Sequence, residues 1–174
     1  MNRRKRLRRT ALLCLHCLRN FAFCRAAAES KKAWADEQFW ITVHNDFLDI
    51  GILEWCKIFG DERAKHAWRK SVGDKEEFLM ALLDHIRLTR EIFYAYIQEM
   101  RTYRDKFVAH LDEEEQMQIP NLSPAIKSAQ FLYQHLLNAE NDCDAFQDAS
   151  QSGVAYFREF LKMARDVYIA KNAD

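Results

Sequence analysis

The sequence predicts an all-α fold, an up-and-down bundle of four to five helices. Two observations support this prediction. Apolar residues recur with the period of an α-helix along almost the whole chain. Only four glycines and two prolines occur among 174 residues, too few for the many turns of a β-sandwich or a β-barrel. The length fits a single domain, and no glycine-rich phosphate-binding loop is present.

The first two helices are predicted from residue 10 to about residue 28 and from about residue 36 to residue 59. Gly60 would end the second helix as a C-terminal cap. This second helix carries two apolar stripes, one formed by Phe39, Val43, Phe47 and Ile50, the other by Leu48, Ile52, Trp55 and Phe59. A helix that is apolar on two faces is expected at the centre of a bundle.

A short connection leads to a third helix, predicted from about residue 75 past residue 101, with Asp74 as its N-cap. Its apolar stripe comprises Leu79, Leu82, Ile86, Phe93, Ile97 and Met100. The same spacing continues to Arg104 and Phe107, so one long helix is expected here.

Two shorter helices complete the predicted bundle. Ser123 and Pro124 are typical of an N-cap and a first helical residue, and they open a fourth helix. A polar stretch follows, and the last helix then places an apolar face formed by Val154, Phe157, Leu161, Ala164 and Tyr168.

The balanced net charge hides an asymmetry. Residues 1–25 hold eight basic residues and no acidic one, and the remaining 149 residues hold 18 basic and 26 acidic residues. We therefore distinguish a basic N-terminal arm, residues 1–9, from a single helical domain, residues 10–174. Such an arm suggests contact with a polyanion or an address signal, and a frayed, solvated terminus is an equally good interpretation.

The N-terminal segment and the cysteines both favour the cytoplasm. The apolar run after the basic residues is interrupted by His16, Arg19 and Asn20, so it makes a poor signal peptide, and no uncharged apolar stretch is long enough to span a membrane. The five cysteines have no disulfide-like spacing. Cys14, Cys17 and Cys24 lack the further ligands of a zinc site, so we expect them to pack in a helix, without metal.

Arg104 stands out because it occupies a position where the stripe requires an apolar residue. An unpaired charge on a core face is costly. Either a carboxylate inside the bundle neutralises Arg104 in a structural ion pair, or the stripe here lines a cleft or subunit interface that binds an anion.

His110 follows Arg104 by six residues. In an unbroken α-helix the two side chains would point about 120° apart, so a shared site requires a break in the helix or a second subunit. An arginine that holds a phosphate and a histidine that transfers protons suit phosphodiester cleavage.

Residues 104–110 resemble the R-x(4–6)-H motif of the HEPN superfamily, in which a polar residue commonly follows the arginine. The wider chain resembles the AbiU-type branch, whose members act in phage abortive infection. The matching segments are residues 39–40, 45–49, 53–61, 66–68, 104–112 and 119–120. The likeness extends from about residue 10 to the end of the chain.

The resemblance implies a HEPN-like bundle that forms a homodimer with two facing motifs. It also implies a metal-independent endoribonuclease without a cofactor, a toxin or antiphage effector of a toxin–antitoxin or abortive-infection system. His110 would be the general acid/base and Arg104 would hold the scissile phosphate, with Asp105 orienting its neighbours. The products would carry 2′,3′-cyclic phosphate and 5′-OH ends.

Further contacts and alternatives accompany this expectation. Lys106, Trp68 and Arg69 are candidate RNA contacts, Trp68 by stacking on a base, although aromatic residues more often pack in a core. An antitoxin or regulatory protein is a candidate partner, and no membrane is expected. The alternatives are a non-catalytic HEPN-like module that binds nucleotide, RNA or protein, and a structural helical dimer in which Arg104 closes an ion pair without any cleft.

Overall fold

The computed structural model describes residues 2–30, 34–108, 118–139, 146, 150 and 152–171. This part of the chain is helical and contains no strand, which confirms the all-α prediction. It holds six α-helices rather than four to five, namely α1 (Arg3–Glu29), α2 (Gln38–Trp55), α3 (Lys75–Ile86), α4 (Arg90–Tyr103), α5 (Leu122–Ala139) and α6 (Gly153–Lys171). Two π-turns, Cys56–Gly60 and Arg104–Val108, directly follow α2 and α4.

Helix α1, not α2, occupies the centre of the bundle. It packs against α2, α5 and α6, and Cys14, Leu18 and Phe21 are fully buried along it. In α2 the stripe from Leu48 to Phe59 is buried as expected, but in the other stripe the side chain of Phe39 is 70% exposed. The stripe that begins at Phe39 is therefore a partly solvated surface.

The basic N-terminal segment forms the first turns of α1, which begins seven residues earlier than predicted. Leu7 is buried there, and the hydroxyl groups of Thr10 and Ser71 are hydrogen-bonded at 2.9 Å. Arg6 Nη1 donates a hydrogen bond to the backbone oxygen of Lys70 at 3.0 Å. These contacts dock the segment on the connection between α2 and α3, so its basic side chains are carried by a packed helix.

By length and composition α1 is long and apolar enough to cross a membrane, with a mean hydropathy of 1.2 over its most apolar 18-residue window. Length and composition alone therefore do not exclude α1 as a spanning helix, contrary to the expectation from the sequence. Of that window 56% is buried against the rest of the protein. This burial is typical of the core helix of a globular protein.

The single third helix expected from the apolar pattern is two helices. Arg87 adopts a left-handed conformation with φ of 59° and ends α3, and the Thr89 side chain caps α4 by accepting a hydrogen bond from the backbone N–H of Ile92. The predicted N-cap of α3 is confirmed, since one Asp74 carboxylate oxygen accepts from two backbone N–H groups at 2.9 Å.

The last two helices lie close to their predicted positions. Helix α5 begins at Leu122, and the Asn121 side chain caps it by accepting from the backbone N–H of Ser123 at 3.0 Å. Helix α6 buries the predicted face from Phe157 to Tyr168, while Val154 at its start remains 41% exposed.

Candidate functional site

The two π-turns bring Arg104 and Asp61 together. Asp61 follows the first π-turn directly, and Arg104 opens the second. The Cys56 thiol donates a weak hydrogen bond to the backbone oxygen of Met100 at 3.7 Å, which joins the first π-turn to α4. Single π-turns inside helices are rare and frequently mark functional sites, because the wider turn redirects the side chains that it carries.

Arg104 is held by two carboxylates. Its Nη1 donates to both oxygens of Asp61 at 2.8 Å, and its Nε donates to Asp105 Oδ1 at the same distance. The Arg104 side chain is only 15% exposed, whereas Asp61 is 36% and Asp105 53% exposed. The three formal charges of this Arg104–Asp61–Asp105 cluster sum to −1.

The cluster fixes the charge of the guanidinium. Burial acts to lower the pKa of Arg104, but the hydrogen bonds that Arg104 donates to the Asp105 and Asp61 carboxylates outweigh it and hold the pKa above its usual value. Burial also raises the pKa of the nearby Cys56 thiol to about 12, which keeps this sulfur protonated and unreactive at neutral pH. Arg104 therefore stays charged, and the more exposed groups of the cluster are its two carboxylate partners, Asp61 and Asp105.

Tyr103 anchors the α4 end of the site. Its hydroxyl donates a hydrogen bond to Asp49 Oδ1 on α2 at 3.0 Å. Burial, together with the Asp49 charge, raises the Tyr103 pKa, so the phenol stays neutral and remains a donor. The residue immediately before Arg104 is thereby tied to a second helix.

A cleft of about 650 Å³ lies beside the cluster, and Asp61 and Arg101 are part of its wall. Its remaining lining combines the apolar and aromatic residues Phe59, Trp68, Leu79, Phe93, Tyr94 and Ile97 with the polar residues Glu62, Arg63, Arg69 and Gln98. A pocket with an aromatic wall and several guanidinium groups suits a ligand that has a flat apolar part and a negative charge.

Gly60 allows the first π-turn to approach α4 closely at the edge of this cleft. A Cβ atom at Gly60 would lie 3.2 Å from Arg101 Cγ and 3.3 Å from Cys56 Cβ. The Nε atom of Arg101 is buried without a hydrogen-bond partner among the described residues. A cationic group that faces a cleft and is incompletely satisfied by protein atoms is suited to an anionic ligand.

The structure brings together only some of the predicted site residues. Arg104 and Asp105 are in direct contact, and Lys106 is partly buried in the same π-turn. Arg69 donates to the Tyr94 hydroxyl at 2.6 Å and lines the cleft. His110 lies outside the described residues.

The stacking role expected for Trp68 is wrong. Its side chain is only 4% exposed, because its ring packs on Phe78 and the Arg69 guanidinium lies 4.7 Å from the ring centre. So little of the residue is exposed, at the edge of the cleft, that Trp68 is a packing residue of the connection between α2 and α3.

The α-helical geometry behind the 120° separation of Arg104 and His110 ends at Tyr103. The π-turn begins at Arg104 itself and runs to Val108, and His110 lies outside the described residues. The shared site of Arg104 and His110 stays a prediction.

The cysteine cluster shows no character of a metal site. Cys14 and Cys17 are fully buried, and burial raises the pKa of both thiols far above the usual range. Among the described residues no group of three or more histidine, cysteine or acidic side chains is placed to hold a metal ion.

Sequence reasoning missed Asp61 as the main partner of Arg104. A positive charge on an apolar stripe requires a carboxylate partner. Asp61 and Arg104 are 43 residues apart, so no local sequence pattern identifies Asp61 as that partner. The available signal was the position of Asp61 directly after the Gly60 cap, where its side chain turns towards α4.

The fold and the site define an all-α protein with an arginine–dicarboxylate cluster beside a partly aromatic cleft. No protein-family model matches the chain. No curated protein and no solved structure matches it either.

Proposed function

We propose that the protein is a cytoplasmic, metal-independent endoribonuclease of HEPN type, which acts as a homodimer with composite Arg104/His110 sites. We further propose that it is a toxin or antiphage effector of an abortive-infection system, controlled by an antitoxin or a regulatory protein. The observation that supports this proposal best is the π-turn that begins at Arg104, where α4 ends, and holds its guanidinium against Asp61 at the wall of a cleft.

The geometry of Arg104 suits the binding of a phosphate. Two carboxylates fix the plane of the guanidinium, and a scissile phosphate would bind it by replacing one of them as the acceptor. Asp105 accepts from Nε, which is the contact that an orienting residue would make. The cleft gives room for a nucleotide, with Arg69 on its wall and Lys106 in the neighbouring π-turn as further RNA contacts.

The proposed reaction needs only groups of the chain and the RNA. In the composite site one His110 accepts the proton of the ribose 2′-OH and the other His110 protonates the leaving 5′-oxygen. The 2′-oxygen forms a bond to phosphorus while the bond from phosphorus to the 5′-oxygen breaks. Arg104 stabilises the negative charge on the non-bridging oxygens. The products are a 2′,3′-cyclic phosphate and a 5′-OH.

A second candidate function is a non-catalytic HEPN-like module that binds nucleotide, RNA or a protein partner. The observation that favours it over catalysis is the pairing of Arg104 with two carboxylates, because the cluster's net charge of −1 opposes a scissile phosphate at Arg104. The cleft itself is common to both candidates.

The test is cleavage of single-stranded RNA and transfer RNA by the wild type and by His110→Ala. His85→Ala is the matched control, because His85 is an exposed histidine on α3. We expect the control to cleave like the wild type and His110→Ala to lose cleavage. Binding of RNA without cleavage by all three folded proteins would instead support the binding module.

A further inference from the structure

A second cavity, of about 370 Å³, is lined entirely by basic residues. Lys5, Arg6 and Arg9 come from the first turns of α1, and Lys65 and Lys70 come from the connection between α2 and α3. We call this cavity the basic cavity. These five cations stand out against the rest of the chain, because residues 26–174 carry more acidic than basic side chains.

Backbone contacts hold these cations in place. Arg6 Nη1 donates to the Lys70 backbone oxygen at 3.0 Å, which fastens α1 to the connection. Lys70 Nζ donates to the backbone oxygens of Arg63 and Ala64, both at 2.9 Å, and so closes the turn that carries Lys65. The five charges therefore sit on a packed helix and a braced turn, which lowers the entropic cost of binding an anion.

The surroundings show that these charges act together. Burial lowers the pKa of His66, and the positive charges of Arg9, Lys65 and Arg6 lower it further. A field strong enough to disfavour one more positive charge also attracts anions.

One segment of the chain contributes to both the basic cavity and the cleft beside Asp61. Within residues 61–70, Lys65 and Lys70 line the basic cavity, whereas Asp61, Arg63 and Arg69 line the cleft. The segment also carries the carboxylate that holds Arg104. The basic cavity and the cleft are therefore neighbours along the chain.

We propose that the basic cavity binds backbone phosphates of a single-stranded RNA, at a site separate from Arg104. This inference rests on the proposed function and names the surface that would hold the substrate strand. Lysine and arginine neutralise phosphates without reading the bases, so binding here is independent of sequence and strongly dependent on salt.

The test uses two exposed lysines of the cavity. In Lys5→Gln/Lys65→Gln two cationic side chains are neutralised, and the contacts that dock α1 are kept because Arg6 and Lys70 remain. The matched control is Lys127→Gln/Lys162→Gln, which removes the same charge from exposed positions on α5 and α6. Deleting residues 1–9 would be a poorer test, because it would also remove the buried Leu7.

The measurement is the affinity for a fluorescent single-stranded RNA with 2′-O-methyl groups, which cannot be cleaved through the 2′-oxygen, between about 50 and 200 mM salt in EDTA. Loss of two phosphate contacts lowers the slope of log affinity against log salt by about 1.4. Over this range the wild type should then lose about sevenfold more affinity than the cavity variant. The control should follow the wild type.

The outcomes separate this inference from the proposed catalysis. Salt-dependent binding that needs Lys5 and Lys65 supports the site even if the protein cleaves no RNA. An unchanged slope in the cavity variant overturns the inference even if the protein is a nuclease. Wild-type binding only to vesicles of anionic phospholipid, and not to the RNA, would also overturn it and assign the cavity to a membrane surface.

Discussion

Replacing Asp61 with asparagine distinguishes two roles of Arg104, a structural ion pair that stabilises the fold and a phosphate-binding group. Both Asp61 oxygens accept from Arg104 Nη1 at 2.8 Å, and the Arg104 side chain is only 15% exposed. Asp61→Asn keeps the shape of the side chain and removes its charge. It changes the formal charge of the Arg104–Asp61–Asp105 cluster from −1 to 0.

The expected loss of stability is moderate. A hydrogen bond to a charged group contributes about 1.5–3 kcal/mol, but Asp61 is about one third exposed and its interaction is screened by solvent. The amide oxygen can still accept one hydrogen bond. We therefore expect a loss of about 1–2 kcal/mol, equivalent to a decrease in Tm of about 2–8 °C for a domain of this size.

The expected effect on RNA binding has the opposite sign. With one carboxylate fewer, Arg104 can neutralise a phosphate more fully, so affinity for the 2′-O-methyl RNA should rise. One added phosphate contact steepens the slope of log affinity against log salt by about 0.7. The variant should therefore lose about threefold more affinity than the wild type between about 50 and 200 mM salt. Thermal unfolding and fluorescence anisotropy measure the two effects on the same samples.

Glu62→Gln is the matched control for this prediction. Glu62 is the next residue, is 72% exposed and approaches Arg69 at 3.7 Å, so its replacement removes the same charge without touching Arg104. We expect little loss of stability and a smaller gain in affinity. If Asp61→Asn loses stability but binds RNA no better than Glu62→Gln, Arg104 is a structural residue and the reasoning is refuted.

Two further predictions concern the bundle that carries the site. In Gly51→Ala the added Cβ would lie 2.7 Å from the ring of the buried Phe21. Overpacking should lower the free energy of unfolding by about 1–3 kcal/mol, which should exceed the gain of about 1 kcal/mol from helix propensity. A more stable variant in urea unfolding would contradict this. Burial lowers the pKa of His44 below 6.5 in the folded protein. As the pH falls below 6.5, the unfolded chain therefore takes up this proton before the folded protein does. The contribution of His44 to the free energy of unfolding should be fully present above pH 6.5 and should decrease as the pH drops towards the folded-state pKa. His44→Gln should lose less stability than the wild type between pH 7.5 and 5.5, and an equal loss would show that His44 does not contribute.

The all-α character is the part of the fold that the sequence predicts well, since apolar residues recur with the helical period along the chain and α3 to α6 each bury one such face. The division between α3 and α4 escaped prediction for a physical reason. Ile86 and Phe93 are seven residues apart, which keeps the apolar stripe in phase across the break. The left-handed residue at the break is Arg87 rather than glycine or asparagine, so the usual signal was missing.

The candidate site was predictable only in part, because it depends on contacts between distant segments. A charge at Arg104 demanded a carboxylate, but the sequence offers 26 acidic residues and does not identify Asp61. The π-turns have no sequence signature, since the apolar stripe continues from Trp55 to Phe59 through the first of them. Trp68 was a candidate for stacking on a base, but its contact with Phe78 buries it, and such a tertiary contact has no local sequence signal.

The measurement that tests the central claim most directly is the chemical identity of the RNA ends produced in EDTA. We predict that the folded wild-type protein leaves 2′,3′-cyclic phosphate and 5′-OH ends, and that His110→Ala leaves none. Products with 3′-OH and 5′-phosphate ends would contradict attack by the 2′-oxygen. Intact RNA after incubation with the folded protein would contradict the proposed nuclease activity.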